Sequence, residues 1–200
     1  MSWADLGMSV ETYLALAVSA LALGAVAGVA LGTAAAHTGA GRIPLVALVN
    51  IGRAVPSLAL LTFMVPVLGL GFAPALAALA ILATAPVAIT TDVAFRNVSP
   101  AAIDAARGLG MTGAQTLLRV EWPLAFPVIF TGVRTAATEV IASAVLAAFI
   151  GAGGLGELIT TGLQANEPQR LWTGVAAIAI IAVLAEFGLA LVQRRVRGAV

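Results

Sequence analysis

The sequence predicts an all-α integral membrane protein with about five transmembrane helices. Apolar residues make up 61% of its 200 positions and charged ones only 10%, with a mean hydropathy of +1.07. Soluble domains are about half apolar and a quarter charged. The second observation is the arrangement of the apolar residues. A bilayer core of about 30 Å takes roughly 20 of them in a helix, and five stretches meet or approach that length, at 12–36, 43–68, 73–91, 125–150 and 171–193. None alternates as a barrel strand does, and a backbone in lipid must pair its own polar groups, so each is expected to be helical.

Ahead of the first stretch stand Asp5 and Glu11 and no basic residue. Secretory signal peptides start with positive charge, so this stretch is expected to stay in the mature protein. The second stretch holds Asn50, Arg53, Ser57 and Thr62, with Pro56 and Pro66 to bend it and free backbone groups. The fourth holds Arg134, Thr138, Glu139 and Ser143 and runs into Gly151, Gly153, Gly154 and Gly156. That end reads either as a non-helical segment lining a cavity or as an ordinary outer turn, since irregular backbone at membrane depth is tolerated only where protein or water covers it. Glu186 in the fifth reads as a packing or dimer contact.

Arginine or glutamate at membrane depth is costly and usually faces a bundle interior or an aqueous cavity. The candidates for lining a path are therefore Asn50, Arg53, Pro56, Ser57, Arg134, Thr138, Glu139, Gly153 and Gly154. An alternative stays open for both arginines: they snorkel toward the inner interface or bind carbonyls of neighbouring helices.

Orientation follows from the arginines. Arg42, Arg96, Arg107, Arg119, Arg194, Arg195 and Arg197 all fall on one side of the expected spans, and the opposite loops hold only Arg170. The positive-inside rule makes the first side cytoplasmic, with the N-terminus outside and the C-terminus inside. Trp3 and Trp172 then lie at the outer interface and Trp122 at the inner one, the headgroup depth that amphipathic rings prefer.

Composition also excludes chemistry. With no cysteine there are no disulfides, thiolate metal sites or cysteine nucleophiles. All ten basic residues are arginine, so the phosphate-binding loop GxxxxGK[ST], which needs a lysine on the β- and γ-phosphates, is absent. His37 is the one histidine, reads as a loop residue, and builds no metal site. The net charge of +1, unevenly distributed, argues neither for a nucleic-acid partner nor for an acidic ligand, and no nucleic acid is expected.

The one long hydrophilic interruption, about 92–123, is cytoplasmic on this topology. Ser99 followed by Pro100 reads as a helix start. A short helix then runs to about Arg107, Gly108 and Gly110 permit a turn, and Thr112 with Gln115 has the spacing of a capping box for a second helix ending before Pro123. Ala101, Ala102, Ala105 and Ala106 offer close approach, with Ile103 and Leu109 as apolar anchors, for a partner's groove. Periodicity alone fits a plain connector lying on anionic headgroups better.

The order Asp104-Ala105-Ala106, Gly110 and Val120-Glu121-Trp122-Pro123 closely resembles the pattern EAA, three residues, G, nine residues, I-x-L-P of the permease subunits of bacterial binding-protein-dependent ABC importers. Three positions depart from it: Asp104 for Glu, Val120 for Ile and Trp122 for Leu. The resemblance implies the type I importer permease fold and a loop that acts as a coupling helix. Asp104, Ala105, Ala106 and Gly110 would contact the ATPase, and Pro123 would end the loop. It implies a single transmembrane permease domain over 1–200 in the bacterial inner membrane. Its partners would be two ATPase subunits, which bind ATP and Mg, an extracytoplasmic substrate-binding protein, and a second copy or homologous permease. This chain would bind no cofactor and do no covalent chemistry.

The segments Val55-Pro-Ser-Leu-Ala-Leu-Leu61, Gly69-Leu-Gly-Phe72, Gly132-Val-Arg-Thr-Ala136 and Ile150-Gly-Ala-Gly-Gly-Leu-Gly-Glu157 are similar to permeases of osmoprotectant importers for glycine betaine, choline or carnitine. The resemblance spans roughly 45–190. The glycine-rich segment also resembles methionine-type importer permeases, so an importer of another small solute remains the alternative. A secondary transporter would need ion-coupling residues at broken helices in repeated halves, and no repeat is evident. In a non-transporting membrane scaffold, the loop would be only a docking tail.

Overall fold

The computed structural model describes residues 3–38 and 55–197. Among these there is no strand. The helices are α1 (Trp3–Thr38), α2 (Ser57–Leu68), α3 (Phe72–Arg96), α4 (Pro100–Gly108), α5 (Gly113–Thr116), α6 (Trp122–Ala144), α7 (Leu155–Gln164) and α8 (Pro168–Arg197). A π-helical turn, Leu117–Glu121, joins α5 to α6, and a 3-10 segment, Val145–Ile150, continues α6.

Among the described residues, four helical stretches are long and apolar enough to cross a membrane: Asp5–Thr38, Phe72–Arg96, Gly113–Ile150 and Pro168–Arg195. They correspond to the first, third, fourth and fifth expected spans. Of the second, Ser57–Leu68 is described and is 12 residues long, while Asn50 and Arg53 lie outside the described residues. Helix α1 reaches well beyond its expected start because Asp5 and Glu11 sit on exposed positions, where a polar helix end meets headgroups and water rather than hydrocarbon.

Membrane helices cannot gain from leaving water, so they associate through close packing of small residues. Here Gly24, Gly28 and Gly32 of α1 lie against Ala83, Val87 and Thr91 of α3. A Cβ at Gly28 would stand 2.7 Å from the Val87 Cβ and 2.8 Å from the Thr84 carbonyl oxygen, so any larger residue would push the helices apart. The core they form buries Tyr13, Leu16 and Ala20 of α1 with Ala78, Leu79 and Val87 of α3, Ala136 and Val140 of α6 and Leu155 of α7. The Tyr13 hydroxyl donates to the Ile141 carbonyl of α6, which removes the cost of burying it.

Of the two readings open for the glycine segment, the structure shows the non-helical one: Gly151, Gly153 and Gly154 take positive φ of 75°, 74° and 78°, folding the chain back into α7, whose Leu155 and Leu158 enter the core. The second loop helix does not end before Pro123. Gly113–Ile150 is continuous, because the Trp122 amide bonds the Leu117 carbonyl across the wide π turn, and Pro123, which has no N–H to give, follows directly on that turn.

Candidate coupling and translocation sites

Helix α4 begins at Pro100. Ser99 holds the N-cap position, yet its side chain makes no capping hydrogen bond. The far end is closed by a Schellman arrangement: the Met111 amide donates to the Ala106 carbonyl at 3.1 Å and the Gly110 amide to that of Arg107 at 2.9 Å. This geometry demands a left-handed residue, and Gly110 supplies it with φ of +80°. Thr112 then caps α5 through the expected box, its amide donating to the Gln115 side chain at 2.9 Å and its hydroxyl accepting from the Gln115 amide at 3.4 Å. Thr112→Ala is expected to cost about 1 kcal/mol, seen as roughly fivefold faster proteolysis of the loop in inside-out vesicles. An unchanged cleavage rate would mean that the box does not hold the corner.

Asp104, Ala105 and Leu109 are exposed, Leu109 at 80% of its surface. Ala106 faces the other way and is 3% exposed, so its methyl packs within this chain. Ile103, half-buried, packs into a cluster with Phe95 and Val98 beside the end of α3 and Ala125 and Ile129 of α6. Small and charged groups therefore point outward on α4, and apolar ones join it to the bundle.

The bundle's foot is tied by polar bonds across long sequence separations. Arg96 donates to Asp92 at 2.8 Å and, through Nη2, to the Ala35 carbonyl of α1 at 2.8 Å. His37 is not a loop residue: it occupies the last turn of α1, with Nε2 2.9 Å from Glu121 and Nδ1 2.9 Å from the Thr33 carbonyl oxygen.

Arg134, Thr138 and Glu139 come together in a cavity of about 510 Å³ between α6 and α8. Arg134 neither snorkels alone nor binds a neighbour's carbonyl. Its guanidinium pairs with Glu186 and donates to Gln193 at 2.7 Å, and Gln193 in turn donates to Thr131 at 2.9 Å. From sequence Glu186 reads as a packing or dimer contact, and Thr131 and Gln193 carry no signal of their partnership. The i, i+4 spacing of Thr131, Thr135 and Glu139 along α6 signals only a polar side. The ion pair is not sealed inside the chain, with side chains 32% and 48% exposed, and between Gly174 and Gln193 no residue of α8 is buried.

Gly153 and Gly154 lie elsewhere, in a cavity of about 500 Å³ at the other end of the bundle, with Asp5, Glu157, Thr161 and Arg170 around it. Ser57 is half-buried and Pro56 exposed at the start of α2. Among the described residues no group of His, Asp or Glu has the arrangement of a metal site.

Residues 24–198 match the family described as binding-protein-dependent transport system inner membrane component. The chain belongs to this family. The permease is 36% identical over 184 residues to the glycine betaine/carnitine/choline transport system permease protein OpuCB of Bacillus subtilis (strain 168), covering 92% of this chain and 85% of that one. It is 36% identical over 187 residues to the choline transport system permease protein OpuBB of the same organism, covering 92% and 86%. Its fold matches a chain of the MetNI methionine ABC transporter in an inward-facing conformation, with a TM-score of 0.86 at 23% identity over 98% of this permease and 99% of that chain. The permease is thus a multi-pass inner-membrane protein with the type I importer fold.

Proposed function

We propose that this permease is the translocation subunit of an ATP-driven importer for a quaternary amine osmolyte: glycine betaine, choline or carnitine. The observation that carries the substrate class is the 36% identity, over nearly the whole chain, to a permease whose name gives those three solutes. ATP and Mg bind to separate ATPase subunits, because this chain has no lysine for a phosphate-binding loop. The outward face of α4, with Asp104 and Ala105 beside the Gly110 corner, is the docking element for the ATPase. Pro123 marks where the loop hands over to α6. The N-terminus is outside and the C-terminus cytoplasmic, a reading the arginine distribution supports.

The path runs along the polar side of α6, past Arg134, Thr138 and Glu139 with Glu186 and Gln193 opposite, and past Gly153 and Gly154 at the outer end. Pro56 and Ser57, at the start of α2, are further candidates for its lining. A second permease copy or a homologue closes it, since lipid is a poor cover for the exposed ion pair. The polar α6–α8 cavity is lined by no aromatic ring, and the adjoining apolar one that shares Arg134, Thr138 and Glu186 offers only Phe187, which is less than the several rings a cation–π cage uses. Tight capture of the ammonium group falls to an extracytoplasmic binding protein, and the permease holds the solute weakly enough to release it.

The test is uptake of labelled glycine betaine and choline by cells at high osmolarity, with and without this gene and with methionine as control. Amine uptake is expected to disappear with the gene and to return with the parent chain. Gly110→Val, strained by about 1–2 kcal/mol at a left-handed position, is expected to restore it poorly and to co-purify less ATPase. Loss of methionine uptake with intact amine uptake would sink the substrate class. A parent chain that imports amine without any co-purifying ATPase would sink the importer itself.

A further inference from the structure

In the second half of the loop motif, from the π turn to Pro123, Leu118, Arg119 and Pro123 stay exposed while Glu121 turns into the chain. Glu121 ends the π turn and is only 9% exposed. A π turn inserts one extra residue into the helix and so redirects the side chains beyond it, and such bulges recur at functional sites. The redirected carboxylate meets His37, 84 residues away at the end of α1. The hydrogen bonds fix the protons. A carbonyl oxygen only accepts, so Nδ1 carries a proton toward Thr33. The contact between Nε2 and the carboxylate then needs a second proton, held by the imidazolium or by the carboxyl group.

The ring itself is also gripped. Phe95, at the end of α3, lies edge-on to His37 with centroids 5.3 Å apart and packs against Trp122 at 5.9 Å. Trp122 and Ile103 share the same apolar cluster. A cavity of about 340 Å³ between α4 and these feet is lined by Arg96, Asp104, Arg107 and Glu121, so the coupling helix and the clamp share one wall.

We propose that Glu121 and His37 are positioning residues of the coupling step, clamping the foot of α6 and the seat of α4 to the ends of α1 and α3 so that these move as one body. This rests on the importer reading, in which α4 receives the ATPase movement. Without the clamp, α4 would still dock and the ATPase would still turn over, but part of the movement would be lost before reaching α1 and α3.

The test is the number of solutes imported per ATP hydrolysed in proteoliposomes holding the complete transporter and its binding protein. Glu121→Ala and His37→Ala are each expected to lower that ratio about tenfold, within the usual range of coupling between sites, while ATPase turnover and complex yield stay within about twofold of the parent. Glu121→Gln keeps a hydrogen bond to a neutral imidazole, through its amide N–H to Nε2, and is expected to recover most of the ratio. An unchanged ratio in both alanine variants overturns the proposal. So does a fall in uptake that only tracks a fall in complex yield, because that is the mark of a fold contact. If Glu121→Ala fails to assemble, His37→Ala decides the matter alone, since His37 is a partly exposed helix-end position. A parent chain with which no ATPase co-purifies removes the importer reading, and this proposal with it; a co-purifying ATPase with a normal ratio in both alanine variants removes the clamp alone.

Discussion

Gly156→Ala is expected to lower the thermal midpoint of the detergent-solubilised permease by about 5–10 °C, from roughly 3 kcal/mol of overpacking. The new Cβ would stand 2.2 Å from the Val145 carbonyl oxygen and 3.0 Å from its carbon, both backbone atoms that cannot swing aside. Relief requires moving α7 away from the 3-10 segment, and that withdraws Leu155, which is fully buried, from the core. Gly7→Ala is the control, because nothing lies within 4 Å of its added carbon. Equal midpoints for the two variants would show that α7 does not pack on the end of α6 as described.

The second large effect concerns the ion pair between α6 and α8. Glu186→Leu should leave Arg134 uncompensated at membrane depth and cut the folded yield and the uptake about tenfold or more. Removing both charges, as Arg134→Met with Glu186→Leu, should restore the yield, since a paired charge is often replaceable by apolar side chains of similar size. Uptake should not return with it if the pair lines the path. A double variant that transports normally would reduce the pair to a packing feature. A Glu186→Leu chain with normal yield would mean that water or another protein chain already compensates Arg134.

Hydropathy carried most of the fold, because span length is set by bilayer thickness and every residue in a span reports on it. The loop was legible for another reason: Pro100, Gly110 and the Thr112–Gln115 box act within a few residues, and each has its own backbone signature. Helix α7 was not legible. It has 10 residues and two glycines, too few for a span, and its apolar face gains meaning only once the positive-φ glycines have turned the chain back. The polar pairs were hidden by distance. His37 with Glu121, and Arg134 with Glu186, are 84 and 52 positions apart, and nothing near one partner in sequence names the other. The π turn was hidden too, with Pro123 its only trace, and that proline reads more naturally as a stop.

The unbroken run from Gly113 to Ile150 has a mechanical consequence. At 38 residues it is about 57 Å long, rooted beside α4 and carrying the glycine turn at its opposite tip. A tilt of about 10° at the root sweeps the tip through roughly 10 Å, comparable to a one-turn helix ratchet or more. Angular motion of this size needs no melting of the intervening hydrogen bonds. On the coupling role proposed for α4, a short throw at its root would become a wide throw at the glycine turn.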